Sequence, residues 1–450
     1  MPIRQTPAEF LRSCFLAGLD AVRPERCLPR ALARAESPQG PCALLAVGKA
    51  APGMAQAIAE TLSAKRGQLL SPLVIGVQAE GAALVGDHPV PGAASAIAAA
   101  AIAEWIGHLP ADADVHIALS GGASALMAAP LPGLTNDDLR SAFALLLGSG
   151  LDIDEMNAVR KRLTRWSAGR LALALAPHRT FVWLMSDVPG DDPSIIASGP
   201  CHGDPWFSSQ VRNLLEERGL WIGLSPTVQA ALAVETMKPG AAGLGEVRTS
   251  IVARNSDVLA AAATFATSLG IKAHIVSRPL SGEACDAGRT LARHLLKAQA
   301  LSSTPGILAL PAPRPPELWL YGGETVVTLA GATGTGGRNQ ELALAAAQEV
   351  ASQYSSGENV LLAAGTDGRD GSTVAAGAVV DGRTWHKITA SGRDPATDLA
   401  RHAAHDALEA AHALVTTGHT GTNVMDVVLA LSDKWRHLYA PEECTFDRTQ

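Results

Sequence analysis

The chain has 450 residues, more than a single hydrophobic core usually organises, so its length predicts two domains. Hydrophobic residues make up 47% of the sequence and charged residues 18%, a globular composition that excludes disordered and fibrous proteins. The net charge of -7 gives no basic excess, which argues against a nucleic-acid partner or an anionic membrane surface.

The chain carries no pattern that directs a protein to a membrane or out of the cell. The N-terminus lacks a long apolar run with a cleavage site, and the apolar stretch 93–106 is interrupted by Glu104. The six cysteines form no CxxC pair, which favours reduced thiols over structural zinc or disulfides. We therefore expect a soluble cytoplasmic protein. The oligomeric state stays open, with a homodimer as one alternative.

The first half of the chain alternates short β-rich runs with longer Ala/Leu-rich runs, which is typical of βα units in a parallel sheet. The predicted strands are Cys42–Val47, Leu73–Val77, Val115–Leu119 and Thr180–Met185. Each is followed by Gly, Pro, Ser or Asp before helical sequence resumes. We predict a Rossmann-like α/β domain over residues 1–240, with functional loops after its strands.

The Pro/Gly-rich segment 238–245 marks the predicted start of a second α/β domain, residues 241–450. Its predicted strands are Thr249–Ala253, Ala273–Val276, Leu318–Tyr321, Thr325–Leu329, Val360–Ala363 and Val424–Leu431. The proline-rich stretch 302–316 predicts an extended connection. The expected fold is α/β, with two domains of largely parallel sheets around an interdomain cleft.

The first candidate site residue is Lys49, in the motif AVGKAAPG, where a predicted strand ends and a helix begins. The positive end of a helix favours a bound anion, and a lysine beside it adds charge. A surface lysine is the plain alternative. The motif is not a Walker A loop, because Gly-Lys is followed by alanine and no glycine stands five residues before Gly48.

A glycine loop, LSGGAS, follows the third predicted strand. Gly121 and Gly122 let the backbone N–H groups of a turn approach an oxyanion, and Ser120 and Ser124 add hydroxyl donors. These residues predict a phosphate or carboxylate site, although an ordinary strand-to-helix turn has the same composition.

The loop after the fourth predicted strand, SDVPGDDP, carries three carboxylates within six residues. Carboxylates on a loop can ligate Mg²⁺ or accept a proton from a substrate hydroxyl. Asp187 is the first choice for both roles because it is nearest the strand end, and Asp191 is the second metal candidate. Aspartates and prolines also form simple turns.

A further glycine loop, GATGTGGRNQE, leads into an Ala/Leu-rich helix at Arg338 and Asn339. A guanidinium beside a flexible loop can bind two oxygens of a phosphate or carboxylate at once. The alternative is a glycine hairpin with an exposed arginine.

Two weaker clusters surround Asp367, in AGTDGRDG, and Asn423, in TGHTGTN. Both compositions suit turns as well as ligands. The histidines, including His88, form no HxH or HExxH pattern and are expected in turns or at the surface. No strict GxGxxG occurs, which counts against a dinucleotide-dependent dehydrogenase.

Eight motifs taken in order resemble the class II glycerate 2-kinase family, whose C-terminal part is called the MOFRL domain. They are VGKAAPGM, GDHPVPG, LSGGASAL, MNAVRKRL, SDVPGDDPSIIASGP, GGETVVTLAGATGTGGRNQE, AGTDGRDGSTVAAGAVVDG and TGTNVMDVVLAL. The resemblance implies transfer of the ATP γ-phosphate to the 2-hydroxyl of D-glycerate, with a divalent cation such as Mg²⁺. By position it implies that Lys49, Asp187, Glu324, Arg338 and Asn423 belong to the cleft.

Two alternatives remain open at this stage. Members of this family are also labelled hydroxypyruvate reductases, which makes an NAD(P)H-dependent oxidoreductase the second reading. A non-catalytic binder of a small hydroxy acid is the third, and it would keep Arg338 without requiring Lys49 and Asp187 together.

Overall fold

The computed structural model describes residues 5–432 apart from 66–67, 89, 148, 150, 152, 245, 301–315, 330, 332–333 and 354–358. The chain divides into two compact units. The first consists of Val22–Arg254 and Gly421–Val424. The second takes its described residues from the ranges 5–21, 255–420 and 425–432. The predicted extended connection lies outside the described residues except for Pro316.

The described residues form twelve strands and sixteen α-helices. The strands are β1 Cys42–Val47, β2 Leu73–Gly76, β3 Leu84–Val85, β4 Asp114–Leu119, β5 Thr180–Met185, β6 Val247–Ala253, β7 Lys272–Ile275, β8 Glu317–Gly323, β9 Val360–Gly365, β10 Gly377–Asp381, β11 Leu414–Val415 and β12 Asp426–Leu431. The helices are α1 Pro7–Ala21, α2 Pro24–Arg34, α3 Ala51–Ala64, α4 Ala93–Gly107, α5 Ala123–Leu126, α6 Asn136–Leu147, α7 Ile153–Leu163, α8 Arg170–Leu175, α9 Ser208–Glu217, α10 Pro226–Ala233, α11 Asn255–Ser268, α12 Ala284–Ala300, α13 Arg338–Gln353, α14 Thr384–Ala390, α15 Pro395–Ala400 and α16 Ala404–Ala410. None of these helices has the length and hydropathy that a membrane crossing requires.

The first unit is built on a six-stranded parallel sheet in the order β3-β2-β1-β4-β5-β6. Every residue of β1, β4 and β5 is buried, as expected for parallel strands covered on both faces. Leu45, Ile117 and Val182 are among the buried residues of one core that packs against this sheet. The predicted parallel α/β domain is confirmed for this unit.

The boundary between the units differs from the predicted one. The prediction ended the first domain at residue 240, but β6 pairs in parallel with β5 and so belongs to the first sheet. The division falls instead between Arg254 and Asn255, and the N-terminal helix α1 groups with the second unit. Pro/Gly-rich segments punctuate loops inside a domain as well as between domains, so composition alone misplaced the boundary.

The second unit contains a mixed sheet in the order β11-β10-β9-β12-β8-β7. Only β7 and β8 pair in parallel, and the other neighbours are antiparallel. The α/β class is confirmed, but the prediction of a largely parallel sheet is wrong here. The reason is long-range: β8, α13 and β9 form the expected strand-helix-strand order, and β12 then inserts between the two strands and runs against both.

Short or irregular strands escaped the sequence analysis. The predicted strand Thr325–Leu329 is not formed, and Val326 makes only an isolated bridge with Glu283. Conversely, β3, β10 and β11 were not predicted. The two-residue strands β3 and β11 carry too few positions for an alternating pattern to be visible, but the five-residue β10 was missed without that reason.

A buried histidine makes the first unit sensitive to acid. His116 on β4 stacks on Phe181 at 5.1 Å between ring centroids, and its Nδ1 accepts a hydrogen bond of 3.1 Å from the Trp183 indole. Burial lowers the pKa of His116 to about 4, against the opposing effect of Asp114. The folded state therefore keeps this ring neutral at pH values where the unfolded chain already binds the proton.

We expect this histidine to cost the protein stability as the pH falls. Above pH 6.5 the histidine is neutral in both the folded and the unfolded state and does not affect stability. As the pH falls toward 4, only the unfolded state takes up the proton, so the free energy of unfolding falls by about 3 kcal/mol in total. His116→Phe removes the titrating group while keeping a ring in the stack. Denaturant unfolding at pH 7 and pH 4.5 should show a smaller loss in the variant than in the wild type, and equal losses would contradict this account.

Candidate active site

The candidate residues of the first unit gather at the carboxyl ends of β1, β4 and β5. The strand order reverses between β1 and β4, which are neighbours with helical crossovers leading in opposite directions. Such a switch point opens a crevice outside the strand ends, where α/β proteins bind their ligands. Lys49 directly follows β1, the Ser120 loop follows β4, and Asp187 follows β5. Topology therefore places these three predicted features at one edge of the sheet.

The loops after β1 and β4 are locked together by Gly48 and Ser120. Ser120 is fully buried, and its Oγ accepts a hydrogen bond of 3.0 Å from the backbone N–H of Ala50. The N–H of Lys49 donates to the carbonyl of Gly121 at 2.9 Å. Gly48 has φ +132°, and a Cβ on it would lie 2.2 Å from Ser120 Oγ. The close approach of the two loops therefore requires glycine at this position.

We predict that Gly48→Ala destabilises the first unit. The added methyl group must displace the Ser120 hydroxyl, and the alanine must adopt a backbone conformation that L-residues rarely occupy. The free energy of unfolding should therefore fall by about 2 to 4 kcal/mol. Gly107→Ala is the matched control, because nothing lies within 4 Å of its Cβ position. Urea denaturation of both variants tests this, and a loss of the same size in the two proteins would refute the packing argument.

The position where Gly121 lacks a Cβ faces Asp187 and Asn423. A Cβ on Gly121 would lie 1.8 Å from Asn423 Nδ2 and 2.3 Å from Asp187 Oδ2, so both side chains occupy the space that glycine leaves. Asn423 Nδ2 also donates to Asp187 Oδ2 at 3.5 Å. Asn423 was predicted to belong to the second domain, but the segment Gly421–Val424 belongs to the first unit. The Asn423 N–H approaches Met185 Sδ at 3.2 Å, which holds this segment at the end of β5.

The position where Gly122 lacks a Cβ faces His88 and Lys49 instead. It has φ +85°, and the three atoms nearest to its Cβ position are His88 Cδ2 at 3.0 Å, His88 Nε2 at 3.1 Å and Lys49 Cγ at 3.6 Å. Ser124 is exposed in the next turn, and its hydroxyl receives a hydrogen bond of 2.9 Å from Ser198. The two adjacent glycines thus face different groups: a carboxylate and an amide at Gly121, and a histidine ring and a lysine stem at Gly122.

The remaining aspartates of the β5 loop have partners of their own. Asp191 Oδ2 lies 3.3 Å from Arg254 Nε, and Asp192 Oδ1 accepts the backbone N–H of Ser194 at 2.8 Å. Within the described part of the chain, no group of three or more His, Cys, Asp or Glu side chains is arranged to hold a metal ion.

The second unit holds a separate polar cluster around Arg338, the first residue of α13. Arg338 makes two bonds to the buried Asp426, from Nε at 2.5 Å and from a terminal nitrogen at 3.0 Å, and it also pairs with Glu324. Burial lowers the pKa of Arg338, but the charges of Asp426 and Glu324 outweigh that effect and raise it. An external anion would have to compete with these two carboxylates.

Asp370 fixes the start of α13 beside this cluster. Its carboxylate accepts hydrogen bonds from the backbone N–H groups of Asn339 and Gln340 at 3.1 and 2.8 Å, and from both side-chain amides. Burial, and then the Asp426 charge, raise the pKa of Asp370 to about 6. The predicted ligand Asn339 is thus engaged within the protein, and Asp367 Oδ1 accepts the backbone N–H of Arg369 at 3.0 Å.

The structure brings some predicted residues together and adds others that the sequence analysis missed. Lys49, the Ser120–Ser124 loop, Asp187 and Asn423 meet in the first unit, whereas Glu324, Arg338, Asn339 and Asp367 lie in the second. Their roles in one cleft stay a prediction. The missed residues are His88, Asp370 and Asp426. His88 follows β3 within GDHPVPG, and that position after a strand was the available signal.

Two family profiles match the chain. A profile described as a domain of unknown function, DUF4147, covers residues 10–233, and the MOFRL family profile covers residues 317–426. The two matches together span parts of both units.

Curated relatives and a solved structure extend the likeness over most of the chain. A glycerate 2-kinase from Pyrococcus horikoshii is 34% identical over 401 residues, which cover 87% of this chain and 88% of the relative. A D-glycerate 2-kinase from Thermotoga maritima is 35% identical, with 92% of this chain and 95% of the relative covered. The crystal structure of glycerate kinase from Thermotoga maritima superposes with a TM-score of 0.79 at 32% identity, covering 94% of this chain and 99% of that one. The chain belongs to the glycerate 2-kinase family that carries the MOFRL domain.

Proposed function

We propose that this protein transfers the γ-phosphate of ATP to the 2-hydroxyl of D-glycerate, giving 2-phosphoglycerate and ADP. The observation that carries the proposal is the arrangement around Gly121 and Gly122, where the Asp187 carboxylate packs at the first glycine and the Lys49 stem at the second. Phosphoryl transfer needs positive charge on the phosphates and a carboxylate near the attacking hydroxyl, with little covalent help from the protein. The names of the family members supply the substrate.

Each side chain has a distinct part in the proposed reaction. Asp187 accepts the proton of the 2-hydroxyl while the hydroxyl oxygen forms its bond to the γ-phosphorus. The bond from that phosphorus to the bridging oxygen breaks, and ADP leaves with the electron pair. Lys49 neutralises charge on the transferred group, and the amide of Asn423 orients the Asp187 carboxylate.

The residues present fit a magnesium ion that is held mainly by nucleotide phosphates. Mg²⁺ prefers oxygen ligands and retains several waters, so one or two carboxylates suffice. Asp187 is the better candidate of the two predicted ligands, because Asp191 already faces Arg254. The bound ion would neutralise phosphate charge and so ease attack by the hydroxyl.

A reductase is the second candidate function, because the strand order β3-β2-β1-β4-β5-β6 is that of dinucleotide-binding sheets. The loop after β1 does not favour it. A pyrophosphate needs free backbone N–H groups at the start of the following helix, but Ala50 N–H already donates to Ser120 and Pro52 has none. The start of α3 is therefore not arranged to hold a dinucleotide pyrophosphate on its backbone N–H groups.

One experiment separates the candidate functions. The purified protein is mixed with ATP, Mg²⁺ and D-glycerate while ADP release is followed, and separately with NADH or NADPH and hydroxypyruvate while cofactor oxidation is followed. The proposal requires ADP release that depends on glycerate, with 2-phosphoglycerate identified by NMR. Cofactor oxidation without ADP release would establish the reductase instead. Binding of glycerate without either reaction would identify a binding protein.

We expect EDTA to abolish ADP release and added Mg²⁺ or Mn²⁺ to restore it, because the phosphates cannot be neutralised by Lys49 alone. Initial rates across a chelator titration measure the effect. Full turnover in excess chelator would show that the Asp187 loop has another purpose.

A further inference from the structure

His88 lies in the candidate site although its sequence context suggested only a turn. Its ring packs against Gly122, with Nε2 3.1 Å from the position where a Cβ on that glycine would lie. The Lys49 stem reaches the same point at 3.6 Å. Both side chains therefore pack against the glycine loop at the same point.

The loop that carries His88 contacts both α4 and α5. Asp87 and Ser95 bond reciprocally: the Asp87 N–H donates to Ser95 Oγ at 2.9 Å, and the Ser95 N–H donates to Asp87 Oδ2 at 3.1 Å. Ser95 is fully buried in the first turn of α4. On the other side, a Cβ on Gly86 would lie 2.4 Å from the carbonyl oxygen of Leu126, so this backbone packs directly on the end of α5. These contacts fix the backbone that leads into His88.

The two adjacent glycines face different chemical groups. The Gly121 side carries the Asp187 carboxylate, where a second anion would be repelled. The Gly122 side carries the His88 ring and the stem of Lys49, two side chains whose nitrogen atoms can donate hydrogen bonds. An oxyanion is therefore favoured on the Gly122 side, and a neutral hydroxyl on the Gly121 side.

We propose that His88 is a further substrate-binding residue, whose Nε2–H donates to an oxyanion held over Gly122 together with Lys49. The oxyanion is either the carboxylate of the hydroxy acid or a phosphate of the nucleotide, since both offer the same acceptor chemistry. The inference rests on the proposed kinase function, but the binding of the two compounds tests it separately.

The kinetic test uses His88→Ala, His88→Gln and His88→Asn, with His386→Ala as the control for loss of an exposed histidine on α14. His88→Ala should lower kcat/KM by about 10- to 100-fold, the cost of a hydrogen bond to a charged group. His88→Gln should recover most of it, because its amide nitrogen reaches the place of Nε2. His88→Asn should not, because its amide corresponds to Nδ1. A KM increase for D-glycerate identifies the carboxylate, and one for ATP identifies the phosphate.

A merely structural role would lower the melting temperature and would not separate the glutamine from the asparagine variant. Values of kcat/KM within twofold of wild type for His88→Ala, or equal losses in the Gln and Asn variants, overturn the inference. Calorimetric titration of wild type and His88→Ala with D-glycerate, and with ADP, makes the test independent of turnover. If wild type binds one compound without releasing ADP from ATP and His88→Ala does not bind it, the kinase proposal fails and the inference stands. Equal binding by both proteins, or binding by neither, refutes the inference.

Discussion

Lys49→Ala is expected to reduce kcat for glycerate phosphorylation by roughly two to four orders of magnitude, equivalent to about 3 to 5 kcal/mol of transition-state stabilisation. The lysine follows β1 at the switch point of the sheet, and its stem packs against Gly122. Its charge opposes the negative charge of the transferred phosphoryl group, so its removal should affect kcat more than the stability of the fold. Steady-state kinetics and a thermal melting curve measure the two effects.

Two further variants sharpen the Lys49 prediction. Lys49→Arg should rescue poorly, because a planar guanidinium does not replace a compact ammonium on a stem that packs against Gly122. Lys387→Ala removes an exposed lysine from α14 and should leave kcat unchanged. A kcat near that of wild type in Lys49→Ala would show that Lys49 is only a surface residue.

Asp187→Asn should lower kcat by about 100- to 10,000-fold, the usual contribution of a general base. The substitution keeps the shape of the side chain and an oxygen that can accept from Asn423 Nδ2, so the packing against Gly121 should survive. Only the negative charge and the proton acceptor are lost. Kinetics at saturating glycerate, ATP and Mg²⁺ isolate this loss from any change in affinity.

Asp112→Asn provides the matched control for Asp187. Asp112 is exposed just before β4, so it lies at the amino end of the sheet, away from the strand ends that carry the site. The Asp112→Asn variant should turn over glycerate at the wild-type rate. If Asp187→Asn retained more than half of wild-type kcat, another group would have to accept the hydroxyl proton.

Local sequence was sufficient to predict the strands that carry the site. The apolar runs Cys42–Val47 and Thr180–Met185 match β1 and β5 residue for residue, because fully buried parallel strands read as continuous apolar segments ended by turn residues. The same signal identified the loops at Lys49, Ser120 and Asp187. A family resemblance over eight collinear motifs supplied the substrate, which no single motif determines.

Contacts between residues far apart in sequence were decided only by the tertiary structure. Asn423 reaches Asp187 across 236 positions, and β12 inserts between β8 and β9, because pairing at such separations is chosen by the packing of the whole unit. The engagement of Arg338 by Asp426 is of the same kind, since the glycine-loop pattern shows the arginine but not its buried partner. Sequence by itself determined the buried strands β1, β4 and β5 and the polar residues that follow them. The folded chain decided which of those residues meet, because side chains that share a site come from strand ends that only a completed sheet brings together.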